Sequence, residues 1–452
     1  MLWNNCKRHL ASLLKIKLMR NIHAIACGAF RRFKMMVFRP IFKNMKFKMV
    51  GLLMLLMISG VQAHGADSTS PGALLFHATP TSIGLVWPIT GDDNHNAECR
   101  IQYRIQGEDR WQPFIPLFRI DDNNVNALAG SILFLIPQTT YEINLILSDP
   151  DGGNENLVES VITRSLPQWP AGGREFHVVP GSGGGSGSLE DPFRGIYAAQ
   201  NIAEPGDIFW VHAGTYPGEI EFSTPGEAGN YIVWKGAGDG ETLVGKIRIS
   251  ADHIWLEGLT VRDSDYALLT YNAPEDVVIT YNYFWDNHYG VYLNHGGSNW
   301  TITDNTIVGD QIPGACSGNG CYKGEGIELA HSSGHVVAYN TISYVADGIS
   351  YPGTNCDIFG NELFDLADDG IELDYGYANN RAWQNRISNP KNNGISFQPM
   401  QGSPWYVLRN QVAAPLESAL KLRSGGRALI AHNTMVGWSG AMASGSGYLN
   451  QF

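Results

Sequence analysis

Between residues 73 and 165 apolar and polar side chains alternate in short runs. Ile83, Leu85 and Trp87 share one face of TSIGLVWPIT, Ile101 and Tyr103 one face of CRIQYRI, and Ile143, Leu145 and Leu147 one face of YEINLILSD. Period-two runs of this length, separated by polar turns, predict an antiparallel β-sandwich. A Pro/Gly-rich linker follows at 166–174. Next comes one helical pattern. In DPFRGIYAAQNIAEPGD, Asp191 is placed to cap, Pro192 to occupy the first helical position, and Phe193, Ile196, Ala199 and Ala203 to share a face.

From 253 onward the pattern repeats. Aligned on Asn282, Asn305, Asn340, Asn361, Asn385, Asn410 and Asn433, the spacings are 23, 35, 21, 24, 25 and 23 residues, the long one containing the insertion CSGNGC. A second register runs through Gly290, Gly326, Gly348, Gly370, Gly394 and Ala419. Each unit holds short β-rich tracts and turns and cannot bury its own apolar face, so the units must stack. A leucine-rich horseshoe needs repeated Leu positions that are absent. The fold class is therefore all-β, a right-handed parallel β-helix over 175–452 preceded by the sandwich at 73–165. The recurring Asn reads as an internal amide ladder, and the recurring Gly as a corner that a Cβ would crowd. HNTMVGWSGAMASGSGYLNQF still follows the repeat, which predicts either a longer β-helix or a self-associating last coil.

Charge changes the picture at the front of the chain. Residues 1–63 carry 12 Lys/Arg and no acid, which leaves 19 bases against 43 acids in the remainder, a net of −24. That balance excludes a general nucleic-acid binder. MKFKMVGLLMLLMISGVQA, from Met45, has Lys46 and Lys48 before a short apolar run that ends in Val61-Gln62-Ala63. This is the pattern of a secretory signal peptide, with 1–63 as leader. No later stretch is apolar enough to span a membrane, so a secreted, periplasmic or cell-surface protein is expected. In that setting Cys316 and Cys321 are expected to form a disulfide across the Gly-Asn-Gly turn.

Two family resemblances follow from these residues. Trp87, Leu135-x-Pro137-x-Thr139-x-Tyr141 and SDPDGG make 73–165 resemble a fibronectin type III module, which implies a spacer or docking role rather than chemistry. The repeat, together with PGSGGGSGSLEDPF and AEPGDIFWVHAGTY, resembles the pectate-lyase-like superfamily of β-helix proteins. That superfamily includes lyases, glycoside hydrolases, uronate epimerases and non-catalytic adhesins, so it fixes fold better than function. GIELAHSSG keeps only His331 of the Asp-Pro-His-Asp motif typical of the epimerases.

In the recurring Gly-Ile-x-Leu-x tract the apolar pair faces inward, which leaves two outward columns. One reads Tyr292, Glu328, Ser350, Glu372, Ser396 and Lys421; the next reads Asn294, Ala330, Pro352, Asp374, Gln398 and Arg423. Glu325, Asp347 and Asp369 precede corner glycines in three consecutive coils. As stacked like charges they are either solvated turn acids or a site for a hard cation. Asp368-Asp369 beside Glu372 and Asp374 is the densest cluster, and Asp347, Asp369, Glu372 and Asp374 are the candidate Ca²⁺ ligands. A lyase on a uronate polymer needs a base, for which Lys421, Arg423 and His331 are candidates. A hydrolase needs a carboxyl pair, for which Glu328 and Glu372 would serve. Tyr292, Tyr375 and Trp405, with Trp285, Tyr377 and Trp383, could stack on sugars. The expected function is that of an exported polysaccharide lyase acting on an acidic, uronate-containing polysaccharide. A glycoside hydrolase or a non-catalytic carbohydrate-binding protein is the alternative.

Overall fold

The computed structural model describes residues 66–120, 125–313, 323–397, 402–414, 416–423, 426–438 and 440–444. The expected leader at 1–63 and the Cys316–Cys321 pair lie outside the described residues. Cys99 and Cys356 are buried free thiols. Among the described residues no helix is long and apolar enough to cross a membrane.

The alternating runs at the front form two antiparallel sheets. Ser82–Thr90 pairs with Leu75–Ala78 and with Ala127–Leu133, while Glu98–Ile105 pairs with Thr140–Ser148, which in turn pairs with Glu155–Ile162. Ile83, Leu85, Trp87, Ile101, Ile143, Leu145 and Leu147 meet between the sheets in one core. Tyr141 Oη accepts the backbone N–H of Ile136 at 2.9 Å, which ties the corner of the sandwich shut.

The remainder is a right-handed parallel β-helix of two long sheets, one of 12 strands and one of 18. Three inward ladders fill it. Leu256, Ile279, Ile302, Val337, Ile358, Ala382 and Val407 stack in the first sheet. Phe284, Ile307, Ile342, Leu363, Ile387 and Val412 form the second ladder. Val291, Ile327, Ile349, Ile371, Ile395 and Leu420 form the third. No coil could bury these residues alone; stacking removes them from water at about 25 cal/mol per Å².

The Asn register is an amide ladder, as its spacing suggests. Oδ1 of Asn305 accepts the N–H of Asn282 at 3.0 Å and its Nδ2 at 3.1 Å, and the same pair of bonds recurs through Asn340, Asn361, Asn385, Asn410 and Asn433. The residue before each Asn is left-handed: Tyr281, Asp304, Tyr339, Gly360, Gln384, Arg409 and His432 have φ between 53° and 65°. The bend therefore sits one residue before the ladder. The Gly register works by crowding alone, since a Cβ on Gly326 would come within 2.5 Å of Ile342 and 2.6 Å of the Gly348 carbonyl.

Two local readings need correction. The helix is shorter than its pattern, spanning Ile196–Gln200 after Gly195, and Asp191 does not cap it. Asp191 Oδ2 instead accepts the Ser186 N–H at 2.9 Å, and Phe193–Arg194 pairs as a strand with Val178–Val179. The residues chosen for one apolar face do pack inward: Phe193, Ile196 and Ala199 join the β-helix core.

The sandwich lies against the first sheet of the β-helix. Every residue of Ala127–Leu133 is buried, because its second face covers the coils. Leu133 packs with Val336, Phe359, Trp383, Tyr406 and Leu408. Arg381 and Asp357, both fully buried, are joined at 2.5 Å between Nε and Oδ1. Thr79 Oγ1 donates to Asp357 Oδ2 at 2.5 Å, Arg381 Nη1 to Ser131 Oγ at 3.1 Å, and Ser131 N to Tyr406 Oη at 2.7 Å. Arg164 bonds the carbonyls of Asn299 (3.0 Å) and Gly334 (2.6 Å). The linker is pinned too, with Trp169 edge-on to Trp210 at 5.8 Å.

Candidate active site

The acids before the corner glycines stack coil upon coil. The Gly326 N–H donates to the Asp347 carbonyl (2.9 Å), that of Gly348 to Asp369 (3.1 Å), and that of Gly370 to Asn393 (2.9 Å). This puts Glu325, Asp347, Asp369 and Asn393 in one column. The reading of these acids as solvated turn residues fails, because Glu325, Asp347 and Asp369 are each under 5% exposed. The neighbouring column pairs in register as Tyr292, Glu328, Ser350, Glu372, Ser396 and Lys421. It is not uniformly outward either, since Ser350 and Ser396 are fully buried.

Where the two columns meet, one carboxylate oxygen each from Asp347, Asp368 and Asp369 lie within 4.8 Å of one another. Glu372 stands beside them, and its Oε2 is buried with no hydrogen-bond partner. Lys421 reaches back across two coils, bringing Nζ to 3.7 Å from Asp369 Oδ2. Burial, reinforced by neighbouring carboxylates, raises the proton affinity of Asp347, Asp368, Glu372 and Glu328. It lifts Glu372 to about 9, Asp368 to about 7 and Glu328 to about 8, and Asp347 is pushed well above the usual carboxylate range. Four crowded acids cannot all stay ionised without a compensating cation.

An aromatic shelf borders the acids. The His331 ring lies 5.3 Å from that of Tyr351, which is 6.4 Å from Tyr375. Tyr351 stands beside Glu372, and burial with the adjacent carboxylates raises its phenol well above the usual range. Burial also lowers the pKa of His331. On the other side Tyr292 stacks on Tyr289 at 4.7 Å, next to the Glu325–Glu328 pair.

Of the residues singled out from sequence, Asp347, Asp369, Glu372 and Lys421 come together. Asp374 is 6% exposed, and its charge acts on Glu372. Glu328 pairs with Glu325 two coils away, and Arg423 is exposed just past the strand carrying Lys421. Trp405 is a correction. It is fully buried, edge-on to Phe397 at 5.2 Å with Nε1 bonded to the Gly402 carbonyl, so it packs the core and cannot stack on a sugar. Trp383 is likewise buried, flat against Phe359 at 4.0 Å. Asp368 lies in the acid cluster beside Asp347 and Asp369, although the sequence pattern did not place it among the candidate ligands, nor Asn392 and Asn393, which bond Asp368 and Asp369. Their signal was visible: an Asp-Asp pair followed 24 residues later, in register, by Asn-Asn.

No protein-family model matches this sequence, and no curated protein matches it. Solved structures with a similar chain path include a pectate lyase, Pel9A, at 15% identity and a TM-score of 0.40 over 59% of this chain and 80% of that one. A rhamnogalacturonan lyase matches at 16% identity and 0.31, over 61% and 89%. The catalytic unit of a thermostable GH87 α-1,3-glucanase from Streptomyces thermodiastaticus strain HF3-3 matches at 12% and 0.29, over 86% and 98%. Identities this low reach no further than the fold.

Proposed function

We propose that the protein is a calcium-dependent polysaccharide lyase that cleaves an acidic, uronate-containing chain by β-elimination. The observation that carries this reading is Lys421 Nζ, 3.7 Å from Asp369 Oδ2 at the edge of the acid cluster: a base beside a cation site. The donors fit a hard divalent ion. They are all oxygens, three already converge within 4.8 Å, and Glu372, whose Oε2 has no hydrogen-bond partner, stands outside that trio as a neighbour. A bound calcium ion would neutralise the uronate carboxylate and so acidify the proton at C5.

The residues divide the remaining work. Lys421 Nζ is the group that takes the C5 proton. The C5–H electron pair becomes the C4–C5 double bond, the C4–O bond breaks, and the departing oxygen takes up a proton from solvent water. Tyr351, beside Glu372, and Tyr375 give the sugar a face to lie on. A polymeric substrate agrees with the export expected from residues 45–63. Incubation with a polyuronate panel, with and without EDTA, tests the reading by the ultraviolet absorbance of the unsaturated product. The proposal requires absorbance with calcium and none in EDTA.

One observation favours a second reading. Carboxyls raised to about 8 at Glu328 and about 9 at Glu372 keep their protons near neutral pH, as a hydrolase's general acid must. New reducing ends without ultraviolet absorbance would select the hydrolase.

A further inference from the structure

The three acids of the cation cluster are gripped by the same atom, Oδ1. Asp347 Oδ1 accepts the Asp369 N–H at 2.8 Å. Asp369 Oδ1 accepts both the N–H of Asn393, at 2.6 Å, and its Nδ2, at 2.9 Å. Asp368 Oδ1 accepts Nδ2 of Asn392. Each donor comes from the next coil along the axis. The other oxygen of Asp369, Oδ2, is the one that faces Lys421. Where the column would carry a further acid, it carries an amide.

The choice of amide has a physical reason. An aspartate in the Asn393 position would set another negative charge against Asp369 and leave Oδ1 with one donor fewer. A lysine there would bridge the acids and compete with any incoming ion. An alkyl side chain would leave buried carboxylate oxygens without partners, which is costly in a low-dielectric site. A neutral donor alone fixes the rotation of the carboxylate without cancelling its charge.

We propose that Asn392 and Asn393 are positioning residues of the cation site: their amides hold Oδ1 of Asp368 and Asp369 so that the opposite oxygens converge on a divalent ion. The proposal rests on the calcium-dependent reading above and adds to it the device that sets the geometry before the ion arrives. Ligand carboxylates are commonly held by such outer hydrogen bonds, whose loss weakens metal affinity about 10- to 100-fold.

The test is calorimetric titration of calcium into the full chain and into N392A, N393A and N393D, with melting in EDTA as a check on folding. Both alanine variants should bind calcium about 10- to 100-fold more weakly, and N393D more weakly than N393A, because an acceptor replaces the donor. Tighter calcium binding by N393D would show that column charge alone governs affinity, and would overturn the proposal. So would unchanged affinity in the alanine variants, which would make both residues spacers. Asn392 is only partly buried, so N392A keeps the test valid if substitutions at the buried Asn393 impair folding. Wild-type protein that binds no calcium removes the calcium reading and this proposal together; wild-type binding with unchanged variants removes this proposal alone.

Discussion

Lys421 is the residue on which the lyase reading turns. Its side chain is only 19% exposed, so much of the stem is covered, and Lys421→Met, which keeps the stem and removes the amine, should change the melting temperature little. Loss of the base should lower turnover by about 10² to 10⁴-fold, measured as initial rate on a calcium-saturated substrate. The neighbouring acids set a pH dependence whose sign is definite. Asp368, near 7, and Glu372, near 9, bind protons more tightly in the folded chain than in the unfolded one. Their contribution to stability is therefore complete below the unfolded carboxylate range and is lost as pH rises through 7 and then 9. In EDTA the melting temperature should fall from pH 5 to pH 9, and the increment gained from calcium should grow over the same interval. Site chemistry was legible to this depth in the sequence because acids recur at one register. What the register hid was burial: a Gly-Ile-x-Leu pattern shows which side of the strand a residue takes, and not whether turns on either side close over it.

At the scale of the element, the Asn ladder explains why coils of unequal length still stack. Its amides bind only to one another and to the backbone, so the separation between rungs can vary from 21 to 35 residues without altering the contact. Asn361 shows the cost of losing a rung. Its Oδ1 accepts from Asn340 N and Nδ2, and its Nδ2 donates to the carbonyls of Val337 and Phe359. Asn361→Ala strands these buried groups, and at about 1–3 kcal/mol for an unsatisfied group a loss of roughly 3 kcal/mol is expected in urea unfolding. The ladder could be read from the sequence because one residue type does one job throughout. The left-handed residue before each rung could not. Tyr281, Asp304, Gln384, Arg409 and His432 share a conformation and no chemistry, since the turn constrains the backbone alone and leaves the side chains exposed or half-buried. The helix boundary failed for a related reason: Asp191 satisfied the capping pattern, but a nearer backbone donor in the glycine loop took its carboxylate.

For the whole molecule, the docked sandwich is the feature least visible beforehand. Val336, Phe359 and Trp383 read as ordinary strand residues, and nothing in their spacing says that their outer face is covered. The Arg381–Asp357 pair at the centre of this contact has no exposure, and removing one partner leaves the other charge buried and unpaired. Arg381→Leu should destabilise the chain by about 3–5 kcal/mol, and differential scanning calorimetry should show one cooperative transition for sandwich and β-helix together. A second, separate peak would show that the sandwich unfolds independently.

The same contact limits how this repeat protein can change over generations. Arrays of this kind grow by duplicating a coil, and most of their length tolerates it. Here Arg164 grips carbonyls at Asn299 and Gly334 while Thr79 holds Asp357 and Ser131 holds Tyr406. An extra coil anywhere between 299 and 406 would push the far grips about 4.8 Å out of reach. Duplication is therefore confined to either side of that interval, and the clustered acids Asp347, Asp368 and Asp369 lie wholly within it. Their ancestry should be the most conservative in length of any part of the β-helix.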